Sequence, residues 1–324
     1  MTMEEPSLNT SENENQACQK AGRKNAILGL SRGFLTAGKN YWPVVLAAFL
    51  WSTSFVVTKE GVDQIPPITF GAVRFLIASF VLLAVAGISR KVEKVKRGDL
   101  TLMAVGGLLG ITAYFSLQNL GIQRTSASEA TLLVASFPAV TMLMESLIFK
   151  KKTSWLRYAG VGIAFLGIYL VINHAETGQT ATRLEGDVFL MATGLVWAFY
   201  NFITHDVVQR HSPLTVIFWQ TLFGTLFFLP LVFFEMGSWK PVNAGGIFQI
   251  VYLAVFCSII AYLLYSFGLQ KTDSSTAVSL LNLVPLFGLI IAALALHEEI
   301  GMLQILGGVL VIGGVMVTVP KKEP

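Results

Sequence analysis

Gly121–Pro138 reads GIQRTSASEATLLVASFP, and Gly268–Pro285 reads GLQKTDSSTAVSLLNLVP. The two stretches lie 147 residues apart and agree at seven of eighteen positions, among them Gln123 with Gln270, Thr125 with Thr272, Ser128 with Ser275 and the closing prolines. An internal duplication of this kind fixes the architecture before any residue is given a role. In each copy a polar turn leads into an apolar run that contains a proline. Proline removes a backbone hydrogen bond and crowds the carbonyl one turn back, so Pro138 and Pro285 are expected to kink their helices. Kinks at matched places point to a moving part.

Composition places the duplicated unit in a bilayer. The chain has 324 residues, of which 54% are hydrophobic and only 13% charged, with a mean hydropathy of +0.65. That is too little polar surface to cover a soluble globule. Runs of roughly 20 apolar residues, the length a helix needs to cross the hydrocarbon core, follow one another closely. The ten-residue alternation of a membrane β-barrel is missing. Cys18 and Cys257 offer neither a disulfide framework nor metal-ligand spacing, and no cofactor or metal is expected. The pI near 9.0 reflects basic loops beside apolar spans, which argues for membrane orientation and against nucleic acid.

The fold class expected is an all-α integral membrane protein with ten transmembrane helices, arranged as two inverted five-helix repeats. The spans fall at about 42–61, 66–88, 100–121, 126–149, 154–173, 186–208, 213–234, 246–268, 275–296 and 301–319. Residues 1–40 read as a disordered cytoplasmic tail, 41–173 as the first repeat, 184–319 as the second, and 320–324 as a short cytoplasmic tail. Of 23 Lys and Arg, Lys59 and Arg74 lie within spans. Arg124, Arg183 and Lys240 fall on one side of the membrane and the other eighteen on the side of the termini. The excess of positive charge marks that side as cytoplasmic. Five spans per repeat is an odd number, so the second copy enters from the opposite face.

A second correspondence, at an offset of 146, joins Trp51 with Trp197, Thr58 with Thr204, Lys59-Glu60 with His205-Asp206, and Arg74 with Gln220. At this point the chain resembles the drug/metabolite transporter superfamily and, within it, the ten-span EamA-type carriers. The resemblance rests on LWSTSFVVTKEGVDQIPPITFGAVRF from Leu50, on the two glutamine-containing turns leading to Pro138 and Pro285, and on PLFGLIIAALALHEEIGMLQILGGVLVIGGV from Pro285. One departure is visible, because Lys151 stands where the second half has Glu298. The resemblance implies a secondary carrier of the plasma membrane, typically a bacterial exporter of amino acids, metabolites or drugs. Spans one to four and six to nine would surround a central cavity, with spans five and ten peripheral.

Candidate cavity residues are the matched Trp51 and Trp197 with Phe55 and Tyr262 nearby, and the amides Gln118, Asn119, Asn201, Gln220 and Asn282, which should turn inward for hydrogen bonds. Arg74 lies well inside a span, where a lone guanidinium costs several kcal/mol. It faces either substrate or an acidic partner, and Glu129 is the expected outer partner. At the inner end the candidates for gating or coupling are Glu145 with His205; Lys59 and Asp206 complete the charged set. His174 and His211 read as solvated residues at span ends. Expected partners are the bilayer and a small-molecule substrate, with proton coupling left open, as is the choice between monomer and homodimer. An uptake permease and a non-transporting sensor or scaffold are the alternatives. An intramembrane zinc enzyme is disfavoured because His297-Glu298-Glu299 is followed by Ile300 and Gly301, without the second histidine of a His-Glu-x-x-His motif.

Overall fold

The computed structural model describes residues 41–150, 153–173, 181–269 and 280–318, and these form helices and connections without a strand. Ten apolar helices follow in order. They are α1 Tyr41–Val62, α2 Pro67–Ser89, α3 Arg97–Arg124, α4 in two parts (Ala127–Ala135 and Phe137–Phe149), α5 Trp155–Ile172, α6 Ala181–Arg210, α7 Pro213–Ser238, α8 Ala244–Leu269, α9 Leu283–Ala295 and α10 Met302–Thr318. Eight are long and apolar enough to cross a membrane, and α9 and α10 are shorter apolar helices. Exposed Phe, Leu and Trp side chains are spread over the surface, as expected of a protein solvated by lipid. Cys18, His174, Lys151 and residues 270–279 lie outside the described residues.

Helix starts are set by local chemistry. α2 begins at Pro67, which needs no N–H there. Ser126, Ser212 and Asn243 each accept a backbone N–H three residues on, at the starts of α4, α7 and α8. α4 is interrupted at Ser136, whose hydroxyl bonds the Leu133 carbonyl (2.6 Å), and the lower half restarts with Pro138 at its second position. In the second copy Leu281 and Asn282 form a turn, after which α9 starts with Pro285 as its third residue. Lys150 and His297, again 147 apart, both adopt left-handed φ near +50° at the helix C-termini.

Two departures from α-geometry were invisible in hydropathy. Leu108–Ala113 within α3 and Leu253–Ile260 within α8 are π-helical. They sit at matched positions of the two repeats. In each a hydroxyl bonds the carbonyl five residues back, Thr112 to Gly107 (3.5 Å) and Ser258 to Leu253 (3.0 Å), again at the offset of 146. Wide turns of this kind often mark functional sites because they redirect side chains and carbonyls.

Small residues let the helices approach. α5 and α10 pack backbone to backbone through Gly160 and Gly167 against Gly314 and Gly307, α3 meets α6 at Gly121 and Gly186, and α3 meets α7 at Gly107 and Gly224.

Candidate functional site

The site is organised around Arg74 on α2. Its side chain is buried (3% exposed), and Nε donates to Ser258 Oγ at 2.8 Å. The guanidinium carbon lies 4.6 Å from the Phe115 ring centre and 5.2 Å from that of Phe75. The π-turn of α8 presents Ser258 to it, and Tyr114, Tyr262 and Cys257 lie close by. Among the described residues no carboxylate comes within ion-pair distance of Arg74. Two ring faces and a hydroxyl offset only part of the cost of a guanidinium taken out of water.

Aromatic rings from both repeats gather near this centre. Trp51 meets Tyr262 edge-on at 5.1 Å and donates Nε1 to the Cys257 carbonyl at 3.1 Å. Its counterpart Trp197 meets Tyr114 at 5.6 Å and stacks on Tyr200 at 5.2 Å. These rings are half-buried, and the polar edges of Trp51, Tyr114 and Tyr200 are hydrogen-bonded within the protein. Phe55 is instead buried in the core around Ile122 and Leu190.

The amides divide. Asn119 donates to the Pro67 carbonyl (3.0 Å), Gln118 to Tyr114 Oη (3.2 Å) and Asn201 to the carbonyl of Trp197 in its own helix (2.7 Å). Gln220, the counterpart of Arg74, accepts from Tyr200 Oη (3.1 Å) and has a buried Nε2 without an acceptor. Asn282 is half-buried in the turn before α9.

The expected Arg74–Glu129 pair is not formed. Glu129, fully buried on α4, accepts from Arg183 Nε and Nη2 (2.8 and 2.7 Å) and from Thr125 Oγ1 (2.6 Å). Position along the spans places both residues toward one face but leaves their azimuth open. Arg74 points to α8 and Glu129 to α6. Arg183 had been counted only as a loop cation.

A network closes the face that carries Glu298. Lys59 Nζ donates to the Ile122 and Gln123 carbonyls, each at 3.0 Å, and Gln123 donates to Val62 O at 3.3 Å, which ties α1 to the end of α3. Glu298 accepts from the amides of Ala127 (2.8 Å) and Ser128 (3.0 Å), and Glu235 from those of Ile68 (3.0 Å) and Thr69 (2.7 Å). Carboxylates at helix N-termini complement the macrodipole and satisfy donors that have no partner within the helix. The opposite face differs. His205 and Asp206, the counterparts of Lys59 and Glu60, are exposed there, and Glu145 is half-buried.

That opposite face has its own clasp, and it corrects the reading of His211 as a solvated residue. His211 Nδ1 meets Glu93 (2.9 Å) and Nε2 meets Asp99 (3.0 Å), Arg210 also binds Asp99 (2.7 Å), and Glu93 accepts from the Ser212 amide (3.1 Å). Hydrogen bonds to Asp99, and then to Glu93, push the His211 imidazole up, and the bond to His211 holds the Glu93 carboxyl down. The His211 contribution is therefore complete below the ordinary imidazole range and lost as pH rises through its raised pKa. The Glu93 contribution is complete above the ordinary carboxylate range and lost as pH falls through its lowered pKa. Melting curves of wild type and His211→Gln should differ most between these limits and converge at alkaline pH. A difference unchanged to high pH would show that the charge of His211 is not involved.

Ten apolar helices, matched kinks and π-turns, and a buried polar centre between the repeats define a membrane carrier of inverted-repeat design. Residues 40–173 and 184–319 both match the model of the EamA-like transporter family, and the chain belongs to that family. It is a membrane transporter and not an enzyme. The chain is 28% identical over 288 residues to an uncharacterized transporter of Archaeoglobus fulgidus, covering 88% of this chain and 99% of that one. It is 27% identical over 278 residues to a protein of Streptantibioticus cattleyicolor named as a probable terminal-alkyne amino-acid exporter, covering 86% and 92%. With a Salmonella typhimurium protein named as a probable amino-acid metabolite efflux pump it shares 26% over 292 residues, covering 87% and 95%. A solved structure at 20% identity superposes with a TM-score of 0.61 over 86% of this chain and 98% of the other, a likeness of fold.

Proposed function

We propose that the protein exports small carboxylate-bearing metabolites of the amino-acid class by alternating access, with Arg74 as the anchor for the carboxylate. The observation that carries this reading is the buried Arg74 guanidinium, which has a hydroxyl and two ring faces around it but no carboxylate among the described residues. An anionic group arriving with the substrate would supply the missing charge and a planar two-oxygen partner for the guanidinium. Trp51, Tyr262, Tyr114 and Trp197 supply an apolar wall for the rest of the molecule. The names of the two exporter relatives point the same way. Counterflow of radiolabelled L-amino acids into preloaded proteoliposomes tests it. Saturable exchange of at least one amino acid is expected, and no exchange above empty vesicles across the panel would reject it.

Export also requires an orientation. In this reading both termini and the His211 face are cytoplasmic and the Glu298 face is external, which the eighteen basic residues against three support. In cells carrying a variant without Cys18 and Cys257, a cysteine at Glu185 should react with an impermeant thiol reagent and one at Lys94 should not. Labelling of the Lys94 position from outside would invert the topology.

A further inference from the structure

Asp187 lies on α6 one turn beyond Arg183, so the two side chains share a face. It sits at the seam where Gly186 approaches Gly121 and Arg124 of α3. The carboxyl is buried (2% exposed) and Oδ1 has no hydrogen-bond partner. Thr125 bonds the carboxyl and the charge of Arg183 still reaches it, but the donors of each nearby cation are engaged elsewhere. Arg183 bonds Glu129 through two nitrogens. Arg124, at the end of α3, pairs with Glu185 at 3.5 Å. Lys59, at the end of α1, bonds the Ile122 and Gln123 carbonyls. From the α9–α10 connection comes another acid, Glu298, bonded to the α4 amides, and α10 presents the neutral Gln304, which donates to Ser128 at 2.9 Å. Asp63, beyond α1, is exposed. An ionised carboxylate buried without a counterion costs many kcal/mol, and such a group takes a proton instead.

We propose that Asp187 is a proton-binding site, and that closing the upper half of α4 onto α6 takes one proton from the external medium. The break at Ser136 lets Ala127–Ala135 move as a unit carrying Glu129, Thr125 lies just ahead of it, and Arg183 and Asp187 stay on α6. When this seam opens, water reaches Asp187 and the proton leaves as hydronium or to buffer; when it closes, a proton from the external medium binds the same oxygen again. Neither counterpart position suggests a copy in the other repeat, since Asp187 aligns with Tyr41 and Glu129 with Thr276. Proton uptake and release then both occur at the external face, so closure of that face depends on external pH. The gating role rests on the carrier reading above, whereas the proton site can be tested without any substrate.

The test is hydrogen exchange of the full chain in nanodiscs, following the amides of residues 127–135 and correcting for intrinsic rates. If closure binds one proton, protection should fall by up to about tenfold for each pH unit between 6 and 8. Asp187→Asn, neutral at every pH, should remain protected and flat. A wild type without pH dependence, or a variant with the wild-type slope, would overturn the proposal. Should Asp187→Asn fail to fold, infrared difference spectra of the wild type decide. Loss of a protonated-carboxyl band between pH 6 and 8, in step with the exchange data, supports the site, and its absence refutes it. Flux that fails while the slope persists would reject the carrier reading and leave the proton site standing.

Discussion

Replacing Arg74 by methionine should raise the melting temperature of the protein while lowering transport by about a hundredfold or more. The two effects have one cause. A buried guanidinium without an acidic partner is a net cost to the fold, and exchanging buried charge for an apolar side chain of similar volume is often stabilising by about 1–4 kcal/mol. The loss of ring contacts with Phe75 and Phe115 offsets part of this, and Ser258 keeps its bond to the Leu253 carbonyl. Removing one member of a buried charge pair costs a complex about 2–5 kcal/mol, and each 1.4 kcal/mol is a factor of about ten. Arg74→Lys keeps the charge but not the planar fork, so it should bind substrate weakly and melt near wild type. A structural arginine would behave in the opposite way, with destabilisation in detergent melting curves and flux lost only in proportion to unfolded protein.

The second large effect concerns α5 and α10. A Cβ added at Gly314 would lie 2.5 Å from Ala164 N and 2.5 Å from Gly160 O, and one at Gly167 would lie 2.6 Å from both Gly307 O and Val311 N. These neighbours are backbone, so relief requires the helices to separate. Gly314→Leu or Gly167→Leu should therefore cost at least the roughly 1–3 kcal/mol typical of overpacking, and a drop of several degrees in melting temperature. The same helices supply their own controls. Gly162 and Gly313 have nothing within 4 Å of an added Cβ, and leucine at either place should be tolerated. Equal losses at Gly313 and Gly314 would mean that the packing is not as described.

Much of this architecture could be read from the chain because hydropathy and duplication are properties of segments. The repeated Gly121–Pro138 stretch and the ten apolar runs needed no knowledge of rotation about a helix axis. The parts that escaped depend on rotation and register. The π-turns in α3 and α8 leave the apolar runs unbroken; the only trace was a hydroxyl residue, Thr112 and Ser258, at the repeat offset in both. Pairing Arg74 with Glu129 failed because depth was legible and azimuth was not. Arg183 and Asp187 lay too close to a span end to stand out, although their four-residue spacing was the available signal. His211 looked solvated because its partners, Glu93 of the α2–α3 connection and Asp99 in the first turn of α3, lie more than 110 residues away. Glu298 was noticed for differing from Lys151. Its work at the start of α4 required the fold to bring Ala127 and Ser128 within reach.

The central claim is that a carboxylate on the substrate meets Arg74. It is tested most directly by competing each transported amino acid against its own carboxamide in proteoliposome counterflow, with wild type and Arg74→Lys side by side. The acid and its amide share size, side chain and α-amino group and differ only in the charge offered to the guanidinium. The account predicts that the acid competes at least about tenfold better than the amide in wild type, since a bond to a charged group contributes about 1.5–3 kcal/mol, and that this preference collapses in Arg74→Lys. Equal competition by acid and amide in the wild type would contradict it.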